Sequence, residues 1–260
     1  MKLIIGLFIM VLLGCKAEEK QFLQPNEISL SPPMVTATST IIDSFVIVNA
    51  DLKFEGAKIV FTANGEEPSE QSEAYTKPLE LTQAGTYKFK AFHPDWKPSD
   101  VVTLEVFAKG VPIDSIINIT QPSKQYSGVG NNTLINNQKA SLAHKNTEWV
   151  GYDTIAKSEI ILKEKTFVKS LSVSYLNAIP SWIFPPSKVS VMLDNQILNE
   201  VVMQPPTTLT AQAMSVIHIP INKDVKSLTI EVSNLQSIPN WHDGAGTKAW
   251  LFMDEWILNE

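Results

Sequence analysis

Cysteine is almost missing from this 260-residue chain: Cys15 stands alone, which excludes an internal disulfide and any multi-cysteine metal site. Positive charge is also in short supply. Lys and Arg number 21 against 27 Asp and Glu, and a net charge of −6 leaves no basic face for a nucleic acid. Glycine and proline, at 11 and 16, are too few for a low-complexity fibre, and a 44% hydrophobic share is too high for a disordered chain. Sustained helical periodicity is absent beyond the N-terminal segment, so the alternating helices of a (β/α)₈ barrel have no sequence to build them. The four histidines, His93, His144, His218 and His242, show no metal-ligand spacing, which argues against zinc. No Gly-x-Ser-x-Gly elbow occurs. Gly128-Val129-Gly130 lacks the third glycine and flanking strand of a nucleotide fingerprint, so it reads as a loop.

The N-terminus is an address. Lys2 precedes an apolar run from Leu3 to Leu13, too short to cross roughly 30 Å of hydrocarbon as a helix. Leu12-Leu13-Gly14-Cys15 resembles a bacterial lipobox, which implies cleavage before Cys15 and lipid attachment to its sulfur. Acyl chains contribute about 0.8 kcal/mol per buried CH₂, so a multiply acylated terminus is a firm anchor. Lys16-Ala17-Glu18-Glu19-Lys20 resembles the charged export signal of outer-membrane lipoproteins, which implies a cell-surface location. Residues 1–14 are then the signal peptide and residues 15–33 a polar tether, with Pro25 and Pro32-Pro33.

Beyond the tether the chain is all-β in character. Short β-branched and aromatic runs at Ser44–Val48, Lys58–Phe61, Thr86–Phe92 and Val101–Phe107 predict strands. In Thr86–Phe92, Tyr87, Phe89 and Ala91 alternate with Lys88 and Lys90, the pattern of a half-buried antiparallel strand. Asn64-Gly65 predicts a tight turn. A second set is predicted at Val168–Tyr175, Lys188–Leu193, Val216–Ile221, Ser227–Val232 and Ala249–Leu258, with Pro180, Pro185-Pro186, Pro205-Pro206 and Pro239 between them. The boundary falls near Gly110, giving modules at 34–110 and 111–260.

Both modules carry a family resemblance. Ala57 through Pro68, then Tyr75, Pro78 and Lys97-Pro98-Ser99, resembles the small sandwich associated with chitobiases and β-hexosaminidases, also called the fibronectin-type-III-associated domain. Trp149-Val150-Gly151-Tyr152, Trp182-Ile183-Phe184-Pro185 and the stretch Ile238 to Glu255 are similar to the discoidin-like (coagulation factor 5/8 C type) domain of glycoside hydrolase family 20 enzymes. The resemblance implies a small Ig/fibronectin-like sandwich followed by a galactose-binding-like jelly roll, without the catalytic barrel. Adjacent Asp254-Glu255 matches the acid pair of those enzymes in type only. It lies in the last apolar strand, where neighbours are expected on opposite faces.

A sugar site needs an aromatic platform and a few polar groups. Trp149, Trp250 and Trp256 sit in strand-like sequence and are expected in the core. Trp182 and Trp241 follow proline-containing turns, and Trp241 leads into His242, Asp243, the glycine-rich Gly244-Ala245-Gly246 and Lys248. These five residues (Trp182, Trp241, His242, Asp243, Lys248) form the candidate carbohydrate site. The competing reading makes Trp241 a plug and His242 the partner of a loop carbonyl. Phe92 to Trp96 forms a second aromatic loop, read as packing. The jelly-roll resemblance also implies a structural Ca²⁺ that Glu255 and Asn137 would help to hold, although Asn136-Asn137 replaces the usual Asp-Gly. No catalytic residue and no other cofactor is expected. The expected protein is a non-catalytic outer-membrane lipoprotein with a glycan as its ligand, and a glycosidase or glycan-uptake complex as its partner. The alternatives are a structural accessory module without a sugar site and, less favoured, a β-N-acetylhexosaminidase-related protein.

Overall fold

The computed structural model describes residues 28–260; Cys15, the signal segment and most of the tether lie outside the described residues. The tether ends earlier than the composition suggests. Leu30 is buried, and Ile28–Leu30 exchanges backbone hydrogen bonds with Lys97 at 2.9 and 3.1 Å, because an apolar side chain next to an open strand edge is better covered than solvated.

The first module has eight strands: Met34–Ala37 (β1), Ile41–Ile42 (β2), Val46–Asp51 (β3), Lys58–Thr62 (β4), Glu73–Ala74 (β5), Leu79–Leu81 (β6), Gly85–Phe92 (β7) and Val102–Ala108 (β8). They form a three-stranded sheet, β1-β3-β6, facing a five-stranded sheet, β2-β8-β7-β4-β5. The alternation read in β7 is realised. Tyr87, Phe89 and Ala91 are buried, and Phe89 joins Val46, Val48, Phe61 and Val106 in the core. Asn64-Gly65 does turn the chain: Gly65 takes φ 76°, and the Asn64 side-chain oxygen accepts from the Glu66 backbone N–H. Buried Ser99 accepts from the Ala91 N–H and closes the far end of β7. Trp96 packs edge-on against Phe54 at 5.2 Å, as a packing residue should.

The second module is built around two very long strands. Its elements are Ile113–Asn118 (β9), Val150–Tyr152 (β10), Ala156–Asn177 (β11), Lys188–Leu193 (β12), Gln196–Val202 (β13), Ala213–Ser233 (β14) and Leu251–Asn259 (β15). β11 and β14 pair antiparallel from Ala156↔Val232 to Asn177↔Ala213, with register shifts between Ile161 and Thr166 and between Val168 and Ser170. The first half of β11 also pairs β9, and its second half pairs β15. The later half of β14 pairs β12 instead. The two strands therefore bend and serve both layers of one sandwich, as jelly rolls and barrels do at their corners.

Val216–Ile221 and Ser227–Val232, predicted as separate strands, are one. Pro220 and Asn222, the latter at φ 49°, sit at the register shift, where a missing donor and a left-handed residue bend the strand without ending it. Gly110 lies between β8 and β9, hard against β15. A Cβ there would come within 2.5 Å of the Leu258 carbonyl oxygen, and Val111 donates to that same oxygen at 2.7 Å. The described residues contain strands and three short 3₁₀ turns, and no helix among them is long and apolar enough to cross a membrane.

Candidate functional site

The connections at 178–187, 203–212 and 234–250 meet at one end of the jelly roll. Ile179–Ser181 makes a 3₁₀ turn that ends on Trp182 in the left-handed region at φ 61°. Trp182 and Phe184 then bracket Trp250: the Trp250 N–H donates to the Trp182 carbonyl at 2.8 Å, and the Phe184 N–H donates to the Trp250 carbonyl at 3.0 Å. Beneath them Ile179, Phe184, Ile238 and Ala249 form a small buried cluster. The loop is thus anchored by apolar burial and backbone pairing, so its outer side chains sit on a fixed base.

His242 organises this end. It is buried, with Nδ1 accepting from the Gly244 N–H at 3.0 Å and Nε2 3.0 Å from the Ile179 carbonyl. Those roles assign a neutral ring with its proton on Nε2, where it donates to the carbonyl. Both nitrogens are occupied, and His242 is not a sugar-facing donor. This corrects the expectation that it contacts the ligand. The competing loop-carbonyl reading is the right one, because a buried imidazole needs two partners and the turn supplies both.

Around this ring the two candidate tryptophans come together. Trp182 stands edge-on to His242 at 5.2 Å and Trp241 at 5.6 Å. Each keeps a large exposed surface, 40% for Trp182 and 38% for Trp241, whereas Trp149 and Trp256 are 1% exposed, as expected of core residues. The Trp241 indole N–H donates to the Pro206 carbonyl at 3.1 Å. That contact fixes the ring on the 203–212 loop, which carried no side-chain signal because its contribution is a backbone oxygen. Asp243 and Lys248 lie on the same loop as Trp241, and both are exposed. Gly244 is needed for close approach. A Cβ there would fall 2.0 Å from the Trp182 indole nitrogen, so the glycine lets the ring lie against the loop backbone.

The acid pair lies elsewhere, on β15. Val173 pairs with Trp256 and Tyr175 with Met253, so Asp254 and Glu255 together oppose Ser174 in a β-bulge. Leu251 and Met253 face the main core before the bulge, and Trp256 and Leu258 after it. The alternation is interrupted, and both carboxylates turn to the 136–140 segment. The expectation that they point to opposite faces is corrected on this ground. Asp254 accepts from Lys139 Nζ at 2.7 Å and from the Ala140 N–H at 2.9 Å, while Glu255 Oε1 accepts from the Asn137 N–H at 3.1 Å. Glu255 is buried and its Oε2 has no protein partner. Burial pushes its carboxyl up to about 8, with the neighbouring Asp254 charge adding to the rise, against the lowering pull of the Asn137 N–H and of Lys139.

The residues expected to hold Ca²⁺ do not fit one. Calcium takes six to eight oxygen ligands. Asn137, at φ 60°, offers its N–H to Glu255, and the neighbouring Asn136 spends its side chain on Glu148 and the Gln138 N–H. Among the described residues no group of three or more His, Cys, Asp or Glu is placed to hold a metal.

The family model of the chitobiase/beta-hexosaminidase C-terminal domain matches residues 37–103. Among curated proteins none is significantly similar. Solved structures with a similar fold include CpGH89CBM32-4 from Clostridium perfringens, at 14% identity and TM-score 0.33, covering 56% of this chain and 94% of that one. Another is GH31 CBM32-2 bound to GalNAc, at 15% identity and TM-score 0.35, covering 56% and 97%. A SusE-like protein matches at 10% identity and TM-score 0.31, covering 86% and 96%.

Two outcomes are expected. Gly244→Ala pushes Trp182 off the loop, so its indole fluorescence and NMR signals change while β-sheet circular dichroism is retained. Stability also depends on pH through Glu255. Its folded pKa lies above its ordinary 4.5, so its contribution is complete below pH 4.5 and is lost as pH rises through about 8. Urea midpoints should fall across that window, and Glu255→Gln, which mimics the protonated acid, should flatten the decline.

Proposed function

We propose that this chain is a non-catalytic, surface-anchored lipoprotein that binds carbohydrate through the aromatic end of its second module. One observation carries the reading. Two indoles, 40% and 38% exposed, are clamped on a common buried imidazole in a loop that also carries Asp243 and the exposed ammonium of Lys248. Exposed large apolar groups held this firmly mark binding surfaces. A pyranose presents C–H groups on its faces and hydroxyls around its rim. The faces stack on indoles, and the hydroxyls donate to Asp243 and accept from Lys248.

The arrangement of acids supports a binding rather than a catalytic role. Asp254 and Glu255 are buried beneath the 136–140 segment and face a lysine and backbone N–H groups. The only other carboxylate at the aromatic end that the sequence singled out is Asp243, and a glycosidase of the two-carboxylate kind needs a matched pair across the scissile bond. The match to the chitobiase/beta-hexosaminidase C-terminal domain supports a role beside carbohydrate-active proteins, with the first module as a spacer. Cys15 supplies the lipid anchor in this reading, and Lys16–Lys20 directs the chain to the outer face of the outer membrane. The partner is then a glycosidase or glycan-uptake complex on the same surface.

Glycan arrays and affinity gels on the purified chain test the site. Trp182→Ala and Trp241→Ala should each weaken binding at least about fivefold, in line with an aromatic stacking contribution of roughly 1 kcal/mol beyond buried area. Full binding by both variants would place the site elsewhere, and turnover of a chromogenic N-acetylglucosaminide would contradict the non-catalytic role. Cys15→Ala should move the protein from the membrane fraction to the soluble fraction.

A further inference from the structure

One charged group in the second module is buried away from the aromatic end. Lys139 leaves 5% of its side chain exposed, and its ion-pair partner Asp254 leaves none. An ammonium taken out of water is costly unless every proton finds a partner. Here three elements supply them. Asp254 on β15 accepts at 2.7 Å, Ser174 on β11 accepts through its hydroxyl, and the ring of Phe107 on β8 lies 5.1 Å from Nζ. The ammonium therefore sits where the connection at 136–140, both central strands of one sheet and the end of the first module come together.

Three of the four carboxylate oxygens around it already accept from N–H donors. Asp254 Oδ1 accepts from Lys139 and from the Glu255 N–H, Oδ2 accepts from Ala140, and Glu255 Oε1 accepts from Asn137. Among the described residues Glu255 Oε2 is the one carboxylate oxygen of the pair left without a protein partner. A divalent cation would have to displace the lysine and reverse the direction of several peptide groups, since an N–H cannot ligate a metal.

We propose that Lys139 is the tethered cation of this jelly roll: its ammonium takes the role that the resemblance assigned to Ca²⁺, fastening the 136–140 segment to the bulge in β15, and no divalent cation binds there. A covalently attached charge carries no dependence on free metal concentration. It also reaches beyond its own module, because the Phe107 ring above it belongs to the last strand of the first. This role is independent of the sugar site, and its test reads stability rather than glycan binding.

Thermal unfolding of the purified chain in chelator and in millimolar Ca²⁺ decides the metal half. The midpoints should agree within about 1 °C, whereas a rise of several degrees with Ca²⁺ overturns the proposal. Charge compensation is tested by Lys139→Met, which keeps most of the length of the side chain and removes the charge. Its midpoint should fall on the order of 10 °C, the shift expected when one partner of a buried ion pair is deleted in a module of this size. Adding Asp254→Asn to Lys139→Met should restore most of that loss, because the orphaned negative charge is then gone while an acceptor remains for Ala140. If the double variant is as unstable as Lys139→Met, or if Lys139→Met loses nothing, Lys139 is not acting as the cation. Should Lys139→Met fail to fold, a double variant that folds supports the proposal, and one that also fails overturns it.

Discussion

The second module depends on one constraint: β11 and β14 must stay paired while they bend. A straight pair of 22 and 21 residues would make a ribbon with both faces half wet. Register shifts near Thr166 and Ser170, with Pro220 and Asn222 opposite, let the pair turn a corner and close a sandwich over Leu171, Val173, Ile219 and Ile230. Burial of that core stabilises the bend, and the bend in turn decides where the connections go. Register ties Asn177 to Ala213 and Lys188 to Ser233 at the two ends of β14, and the segments that leave these ends meet through the Met203–Ser187 and Trp241–Pro206 hydrogen bonds. The aromatic end exists because of this geometry.

Some of this was legible in the sequence for plain physical reasons. β7 showed itself because one of its faces is wet and the other dry. Lys188–Leu193 emerged at its observed bounds because a buried inner strand is an apolar run between turn residues. β13 stayed hidden: as an edge strand it is largely exposed on both sides, so nothing forces alternation. The first half of β11 was hidden differently. Its inward positions begin with Ala156 and Ser158, both fully buried but too small or polar to register as hydrophobic. The same logic applies at the site. Trp182 and Trp241 could be separated from the core tryptophans because each follows a proline turn. Pro206 contributes only a carbonyl, and Lys139 meets Asp254 across 115 positions of sequence through a bulge, so neither left a local signal.

The two buried polar centres of this module divide its work. At one, His242 has both nitrogens satisfied and holds two indoles at fixed angles, which spares a ligand the entropy of ordering them. At the other, Lys139, Asp254 and Glu255 fasten a long connection to the central strand of the sheet. Gly110 presses the chain so closely on Leu258 and Ile257 that the first module leaves the second along a defined path.

The most direct measurement of the central claim is an NMR titration that follows the six indole N–H signals as an oligosaccharide is added. The account predicts that the signals of Trp182 and Trp241 shift together and saturate at one affinity, while those of Trp149 and Trp256, 1% exposed, stay in place. Saturable binding of a glycan with both of the first two signals unmoved, or with shifts confined to Trp96, would contradict it.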